Sequence, residues 1–262
     1  MRLLTLNCHA WQEEEQLEKI DLLAATIYEK QYDVVALQEV SQKETSPLVE
    51  GSIRQDNYGI VLLEKIKQLG GYDYQLVWEK THKAFDVYEE GLAIITRHPI
   101  KEVKSHYLTK TTDFEFWKTR IALRADIELN GLTTTFVSCH LGWWEDKTEP
   151  SKHQMDQLKE LVKRPQPIYL LGDFNSEAEK RDEGYDYMLE NGWLDTYQLA
   201  DKRDHGITVG GNIAGWENNH DEKRIDFIFT NQRIPISSSK VIFNGINKKV
   251  ISDHFGVEVI VK

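Results

Sequence analysis

Cysteine is nearly missing from this chain: Cys8 and Cys139 are the only two among 262 residues. So few thiols exclude a disulfide framework as the source of stability. Each lies in an apolar, strand-like run, where a free Cys acts as a small hydrophobe. Apolar runs long enough to span a bilayer are also missing, and Met1-Arg2-Leu3-Leu4-Thr5-Leu6-Asn7 turns polar too early for a signal peptide. The chain is therefore expected to be cytoplasmic and to work away from membranes. Low-complexity tracts and Pro/Gly/Ser linkers are absent, and the longest run of like charge beyond a pair is Glu13-Glu14-Glu15. One domain over residues 1–262 is the expectation, a length sufficient to bury a real core.

Basic charge is scarce as well. Lys and Arg total 32 against 43 Asp and Glu, a net charge of −11. A protein that lives on nucleic acid needs a basic face, because phosphate neutralisation supplies most of its non-specific affinity. Long nucleic acid is thus not an expected partner, and a small phosphorylated metabolite fits better.

What is present is a series of apolar runs that end in polar residues. Arg2 to Cys8 reads as a strand whose period of two places Asn7 and His9 on one side. A helix follows, with Leu17, Ile20, Ala24, Ile27 and Tyr28 at helical spacing. Asp33 to Glu39 reads as a buried strand that ends in a carboxylate. Asn57 caps a helix over Tyr58 to Gln68, and Gly70-Gly71 stops it. Tyr72 to Trp78 and Gly91 to Thr96 alternate like strands, with Thr81 to Glu90 between them as a loop. Strands are expected at Val103 to Leu108, Thr119 to Leu129 and Leu132 to Cys139, the last two joined through a type I′ turn at Asn130-Gly131. His140 ends the third of these, followed by a loop carrying Trp143 and Trp144.

A helix near Lys152 to Val162 leads into Ile168-Tyr169-Leu170-Leu171-Gly172-Asp173-Phe174-Asn175. That stretch is a short buried strand delivering a carboxylate and an amide at its C-terminal end, the edge at which open α/β sheets bind ligands. Further on come a helix near Arg181 to Asn191, a long Gly-rich loop from Asp201 to Lys223 carrying Trp216, and a strand at Arg224 to Phe229 containing Asp226. Asp253 and His254 precede a final strand, Val257 to Val261.

Buried carboxylates are costly unless paired, hydrogen-bonded or bound to a cation. So many polar groups at strand ends point to one shared site. Its carboxylate and amide chemistry suits a hard ion such as Mg²⁺ better than Zn²⁺.

The ordered set Leu6-Asn7, Leu37-Gln38-Glu39, Ser138-Cys139-His140-Leu141, Gly172-Asp173-Phe174-Asn175, Arg224-Ile225-Asp226-Phe227 and Ser252-Asp253-His254 resembles the endonuclease/exonuclease/phosphatase superfamily, which has the DNase I-like fold. The resemblance implies an α/β fold, a four-layer sandwich with two mixed β-sheets packed face to face. It also implies phosphoester hydrolysis by in-line attack of metal-activated water. Glu39 would then hold Mg²⁺, for which Mn²⁺ can substitute, with Asn7 and Asp253 supporting the metal side. Asp173 would activate the water, Asn175 would hold the phosphate, and His254 would donate to it with its tautomer fixed by Asp226. His140 would stabilise the charged transition state. His9 stands where the family pattern often has Asp.

Leu4 to Trp11, Tyr88 to Ile94 and Gly215 to Asn219 are similar to the Gram-positive bacterial branch that contains maltose 6′-phosphate phosphatases. A cytoplasmic sugar-phosphate phosphatase is therefore expected, with maltose 6′-phosphate the leading substrate. Arg120 would reach the phosphate, and Trp143, Trp144 and Trp216, with His82, Phe85 and Tyr88, would form stacking faces for sugar rings. A phosphodiesterase or nuclease of the same fold, and a non-catalytic binding protein, remain the alternatives.

Overall fold

A computed structural model describes residues 1–71, 73–162, 164–211 and 221–262. The chain opens with β1 (Arg2–Asn7), α1 (Gln16–Lys30), β2 (Val34–Lys43), β3 (Leu48–Glu50), β4 (Ile53–Arg54) and α2 (Tyr58–Gln68). The middle holds β5 (Gln75–Ala84), β6 (Tyr88–Thr96), β7 (Ile100–Tyr107), β8 (Ile121–Leu129), β9 (Leu132–His140), α3 (Ser151–Val162) and β10 (Ile168–Asp173). The chain closes with α4 (Gly184–Glu190), β11 (Leu194–Asp195), α5 (Thr196–Leu199), β12 (Ala200–Arg203), β13 (Asp226–Thr230), β14 (Ile236–Ile242) and β15 (Gly256–Val261).

Two mixed sheets carry the fold. One runs β12-β14-β15-β1-β2-β6-β5 and the other β11-β13-β10-β9-β8-β7, with β3 and β4 as a separate pair. The parallel pairs β1/β2 and β9/β10 bring two C-terminal strand ends together in each sheet.

Period two decides where each side chain goes. Leu3, Val34 and Ala36 of the first sheet share one apolar cluster with Phe136, Tyr169, Leu171 and Ile228 of the second, and Phe136 stacks on Tyr169 with ring centroids 5.4 Å apart. The opposite parity on the first sheet, Leu4, Leu6, Val35 and Leu37, packs against Ile20, Leu23 and Ile27 of α1 and Leu62 and Ile66 of α2. On the second sheet Val137, Cys139, Ile168 and Leu170 pack against Met155 and Leu158 of α3 and Tyr185 and Met188 of α4.

The same parity then locates the polar strand ends. Asn7 continues the line of Leu3, His140 that of Phe136, Asp173 that of Tyr169 and Leu171, and Asp226 that of Ile228. All four therefore emerge from between the sheets, at the end where the apolar filling stops.

Several expectations are corrected. Thr81 to Glu90 is no loop, because β5 and β6 continue through it as a hairpin with a register shift between Lys80 and His82. The Asp201 end of the expected long loop belongs to β12, which pairs with β14. In α1 the buried stripe is Ile20, Leu23, Ala24 and Ile27, whereas Leu17 and Tyr28 are exposed. His9 has left β1 in a left-handed conformation, φ 42°, so strand parity does not place it beside Asn7. The Asn57 cap holds, its side chain accepting from the Gly59 backbone N–H. The Asn130-Gly131 turn has positive φ at both residues and joins β8 to β9 as a type I′ turn requires.

Candidate active site

Asn7, Glu39, His140, Asp173, Asn175, Asp226, Asp253 and His254, scattered over the sequence, meet in one place. Seven of them are tied by specific contacts. The Asn7 amide Nδ2 donates to Glu39 Oε1 at 2.8 Å and lies 3.4 Å from Asp173 Oδ2. His140 Nε2 stands 3.6 Å from Asp173 Oδ2, and its Nδ1 4.0 Å from Glu39 Oε1. His254 places Nδ1 3.0 Å from Asp226 Oδ2 and Nε2 3.8 Å from Asp173 Oδ2. The Asn175 backbone N–H donates to Asp173 Oδ1 at 2.8 Å, and its side-chain amide donates to the Leu141 carbonyl. Asp253 reaches the site from the other rim, 3.7 Å from His9 Nδ1.

Local backbone geometry aims these groups. Glu39 sits at a break in the β2/β6 register, between Leu37 and Val40, with φ 55°. A left-handed non-Gly residue costs about 1–2 kcal/mol, and here it turns the carboxylate out of the strand toward Asn7. Asn175 has φ 48°, which folds its side chain back toward the end of β9. Ser252 anchors the His254 segment by donating to the Asn7 carbonyl at 2.7 Å. Below the site, Gln38 links the sheets by donating to Ser138 Oγ at 3.1 Å.

Burial and charge shift the titrations in opposing directions. Asp173 is pushed from 3.8 up to about 7, first by burial and then by Asp226 beside it. Burial and the nearby Asp253 raise Glu39, against the hydrogen bond from Asn7. His254 is held well above its ordinary value: burial opposes the charge, but Asp226 and Asp173 outweigh it. His140 goes the other way, driven well below by burial and by the cations Arg120 and His254. The site therefore pairs an imidazolium with a neutral imidazole across one carboxylate.

A cleft of about 410 Å³ opens over these groups. Its lining adds His9, His82, Ala84, Phe85, Glu90, Trp117, Arg120 and Trp143. Of the expected substrate contacts, Arg120 and Trp143 line it. Trp144 does not: it packs against Tyr187, ring centroids 5.5 Å apart, beside the outer cluster under α3 and α4. That contact corrects its expected role as a sugar platform. Trp216 lies outside the described residues.

Sequence reasoning named His82 and Phe85 as loop aromatics facing a sugar, and both line the cleft; it missed Glu90 and Trp117. Glu90 shares the parity of Leu92 and Ile94, whose side chains point between the sheets, and that alternation was the available signal. His82 Nε2 lies 3.4 Å from Glu90 Oε1, and Trp117 meets Trp143 edge to face at 6.0 Å.

The donor set suits a hard cation. Glu39 faces the cleft, and among the described residues the one basic group within 4.0 Å of it is the His140 ring, which burial keeps uncharged, while His9 and His254 act on it from further off. A carboxylate raised by burial and by Asp253, with no lysine or arginine within ion-pairing distance among the described residues, is the environment a divalent ion relieves. Among the described residues two groups place three ligand atoms within 4.8 Å of one another: Asp173 with Asp226 and His254, and His9 with Glu13 and Asp253.

Comparison with known proteins gives consistent findings. The model of the Endonuclease/Exonuclease/phosphatase family matches residues 12–254. No curated protein matches the chain. Among solved structures, an endonuclease/exonuclease/phosphatase family protein from Leptotrichia buccalis C-1013-b is 41% identical with a TM-score of 0.94, covering 100% of this chain and 99% of that one. A mannosyl-6-phosphatase from Bacteroides thetaiotaomicron VPI-5482 is 19% identical with a TM-score of 0.73, over 100% and 99% of the two chains. A conserved protein of unknown function from Enterococcus faecalis V583 is 17% identical with a TM-score of 0.71, over the same shares. The last two likenesses concern the fold alone.

Proposed function

We propose a metal-dependent sugar-phosphate phosphomonoesterase for this chain, which belongs to the endonuclease/exonuclease/phosphatase family. The observation that carries the reading is the meeting of Asp173, Asp226 and His254 with Glu39, Asn7 and His140 at the mouth of a cleft larger than a phosphate needs. The same reading takes the fold as a four-layer sandwich. Supporting it are one apolar cluster shared by both sheets and two further clusters under the helices.

Glu39, helped by Asn7 and Asp253, would hold Mg²⁺, with Mn²⁺ as a substitute. Bound there, the ion supplies positive charge to a phosphoryl oxygen. Asp173 takes the proton from the attacking water, a task suited to a carboxylate raised to about 7. Asp226 accepts from His254 Nδ1, which leaves Nε2–H to donate toward the phosphate. The Asn175 amide and the neutral His140 ring hold the remaining phosphoryl oxygens in line with the water. Positioning and charge neutralisation do most of the work in phosphoryl transfer, and these groups provide both.

The leaving group is a sugar, with maltose 6′-phosphate the leading candidate. The net charge of −11, together with Arg120 as the one Lys or Arg among the described residues lining the cleft, favours a small metabolite over long nucleic acid. The mannosyl-6-phosphatase among the similar folds is compatible with this choice. Phosphate release from sugar phosphates, p-nitrophenyl phosphate, bis-p-nitrophenyl phosphate and DNA, with and without EDTA, tests the reading. Sugar phosphates should be turned over and EDTA should stop the reaction. Turnover of the diesters or DNA but not of the sugar phosphates would replace it with a phosphodiesterase.

A further inference from the structure

The cleft has a second polar end that the hydrolytic groups do not use. Arg120 is buried, and its Nη1 donates to the Trp117 carbonyl at 2.8 Å and the Thr119 carbonyl at 3.1 Å. The same Nη1 lies 3.4 Å from His82 Nδ1. His82 Nε2 lies 3.4 Å from Glu90 Oε1, and among the described residues it is the one group within ion-pairing distance of the Glu90 carboxyl. Arg120, His82 and Glu90 are all buried and adjacent, with the Glu90 carboxyl raised to about 8 by burial and by Glu39. Burial and Arg120 keep the His82 imidazole neutral, its pKa driven to about 3.

Two donors in the same walls lack acceptors. Arg120 Nε and Trp143 Nε1 are both shielded from solvent and unpaired among the described residues. Unpaired buried donors are rare in native proteins and call for an explanation. Trp117, half-exposed and packed edge to face on Trp143, gives this end an apolar ledge as well. A carboxyl group with spare capacity to accept and donate hydrogen bonds, beside an aromatic ledge, matches a group rich in hydroxyls on an apolar ring frame.

We propose that Glu90, with His82 behind it and Trp143 beside it, forms the subsite that reads the hydroxyls of the leaving group and thereby selects polyol monoesters over aryl ones. This inference rests on the sugar-phosphate reading above. The Glu90 carboxyl exchanges hydrogen bonds with ligand hydroxyls, His82 backs it as a positioning residue, and the Trp143 and Trp117 rings supply the apolar ledge.

The test compares hexose 6-phosphate and maltose 6′-phosphate with p-nitrophenyl phosphate, which has no hydroxyls to read, in the wild-type protein and in Glu90→Gln and Trp143→Phe. Both substitutions are near-isosteric, and circular dichroism melts confirm that the variants fold. The expected result for Glu90→Gln is a fall of about tenfold or more in the ratio of kcat/KM for the sugar phosphate to that for the aryl phosphate, carried mostly by KM. Trp143→Phe should move the ratio in the same direction by a smaller factor. Tryptophan fluorescence titration with hexose 6-phosphate in EDTA, where no turnover occurs, should show the same weakening. Equal losses on both substrates would make Glu90 part of the hydrolytic machinery and overturn the proposal, as would an unchanged ratio. A wild-type protein that hydrolyses bis-p-nitrophenyl phosphate but no sugar phosphate would instead overturn the phosphomonoesterase reading, and the subsite with it.

Discussion

Asp173 and Asp226 are direct cross-strand partners, one ending β10 and the other opening β13. Like charges placed directly opposite each other destabilise a sheet, and both side chains are buried. His254 answers the conflict, with one ring nitrogen on Asp226 and the other facing Asp173. The compensation is unequal, since His254 Nδ1 bonds Asp226 at 3.0 Å while Nε2 stays 3.8 Å from Asp173. Asp173 is left as the carboxylate raised toward neutrality, which is the property a general base needs.

Asp173→Asn should therefore separate activity from stability. Turnover should fall by about 10²–10⁴-fold, the range for losing a positioned general base. Stability should move the opposite way. The folded carboxyl is raised from 3.8 to about 7, so between these values the folded state holds more proton than the unfolded one and wild-type stability falls as pH rises. The Asn variant lacks this loss. Metal-free melts should give similar Tm values for the two proteins near pH 4 and a higher Tm for Asp173→Asn above pH 7. Near-wild-type turnover in the variant would remove Asp173 from the role of base.

Asp226 and His254 should behave as one unit. Asp226→Asn removes the charge that holds the His254 imidazolium, and His254→Gln removes the donor that Asp226 positions. Each single variant should lose most of the activity, and the double variant should be little worse than either. Asp226→Asn should also lower the pKa of His254, visible as a downfield-to-upfield imidazole shift at lower pH in NMR titration. Fully additive losses in the double-mutant cycle would show that the two act separately.

Glu39→Gln tests the metal side. The half-buried carboxylate is raised by burial and by Asp253, so without metal the neutral amide should be tolerated or slightly stabilising. With metal the order reverses. A ligand that binds only the folded state stabilises by about 2.7 kcal/mol at 100 times its Kd. Millimolar Mg²⁺ should raise the Tm of the wild-type protein and not that of Glu39→Gln, with calorimetry reporting the loss of binding directly. An equal Mg²⁺ shift in both proteins would place the ion elsewhere.

How far the sequence revealed this site follows from periodicity. Asp173 and Asp226 extend an apolar strand by one polar step, and Asn7 and His140 by two, through Thr5 and Ser138, in an unbroken period of two, so their facing could be read before any coordinates. Glu39 and Asn175 were legible as residues but not in geometry, because each leaves its strand through a positive φ that no alternation announces. Glu90 was lost to the reading of Thr81 to Glu90 as a loop, and His82 was read as a loop aromatic and not as a strand residue. The bulge between Lys80 and His82 breaks the period, and the polar, aromatic hairpin beyond it looks like a connection. Trp143 and Trp144 show a different limit. Adjacent tryptophans in a loop carry no period at all, and packing alone sends one into the cleft and the other onto Tyr187.

The placement of Asp173 depends in turn on the residue before it. Gly172 has φ +153°, and a Cβ there would lie 1.8 Å from the Cys139 carbonyl oxygen, an atom of the neighbouring strand's backbone. No rotamer change relieves that overlap, because β9 is held on its other side by the full β8 ladder. Gly172→Ala should therefore cost about 3 kcal/mol or more, from overpacking combined with the strained backbone angle. Where the variant folds, β9 and β10 must separate, and the Asp173 and His140 side chains that end them move apart from their present 3.6 Å. Urea unfolding should show the loss of stability, and activity should fall with it although no hydrolytic group has been changed. A Gly172→Ala protein with wild-type midpoint and turnover would mean that the strand ends tolerate displacement, and the close approach of β9 and β10 would no longer explain how Asp173 is held.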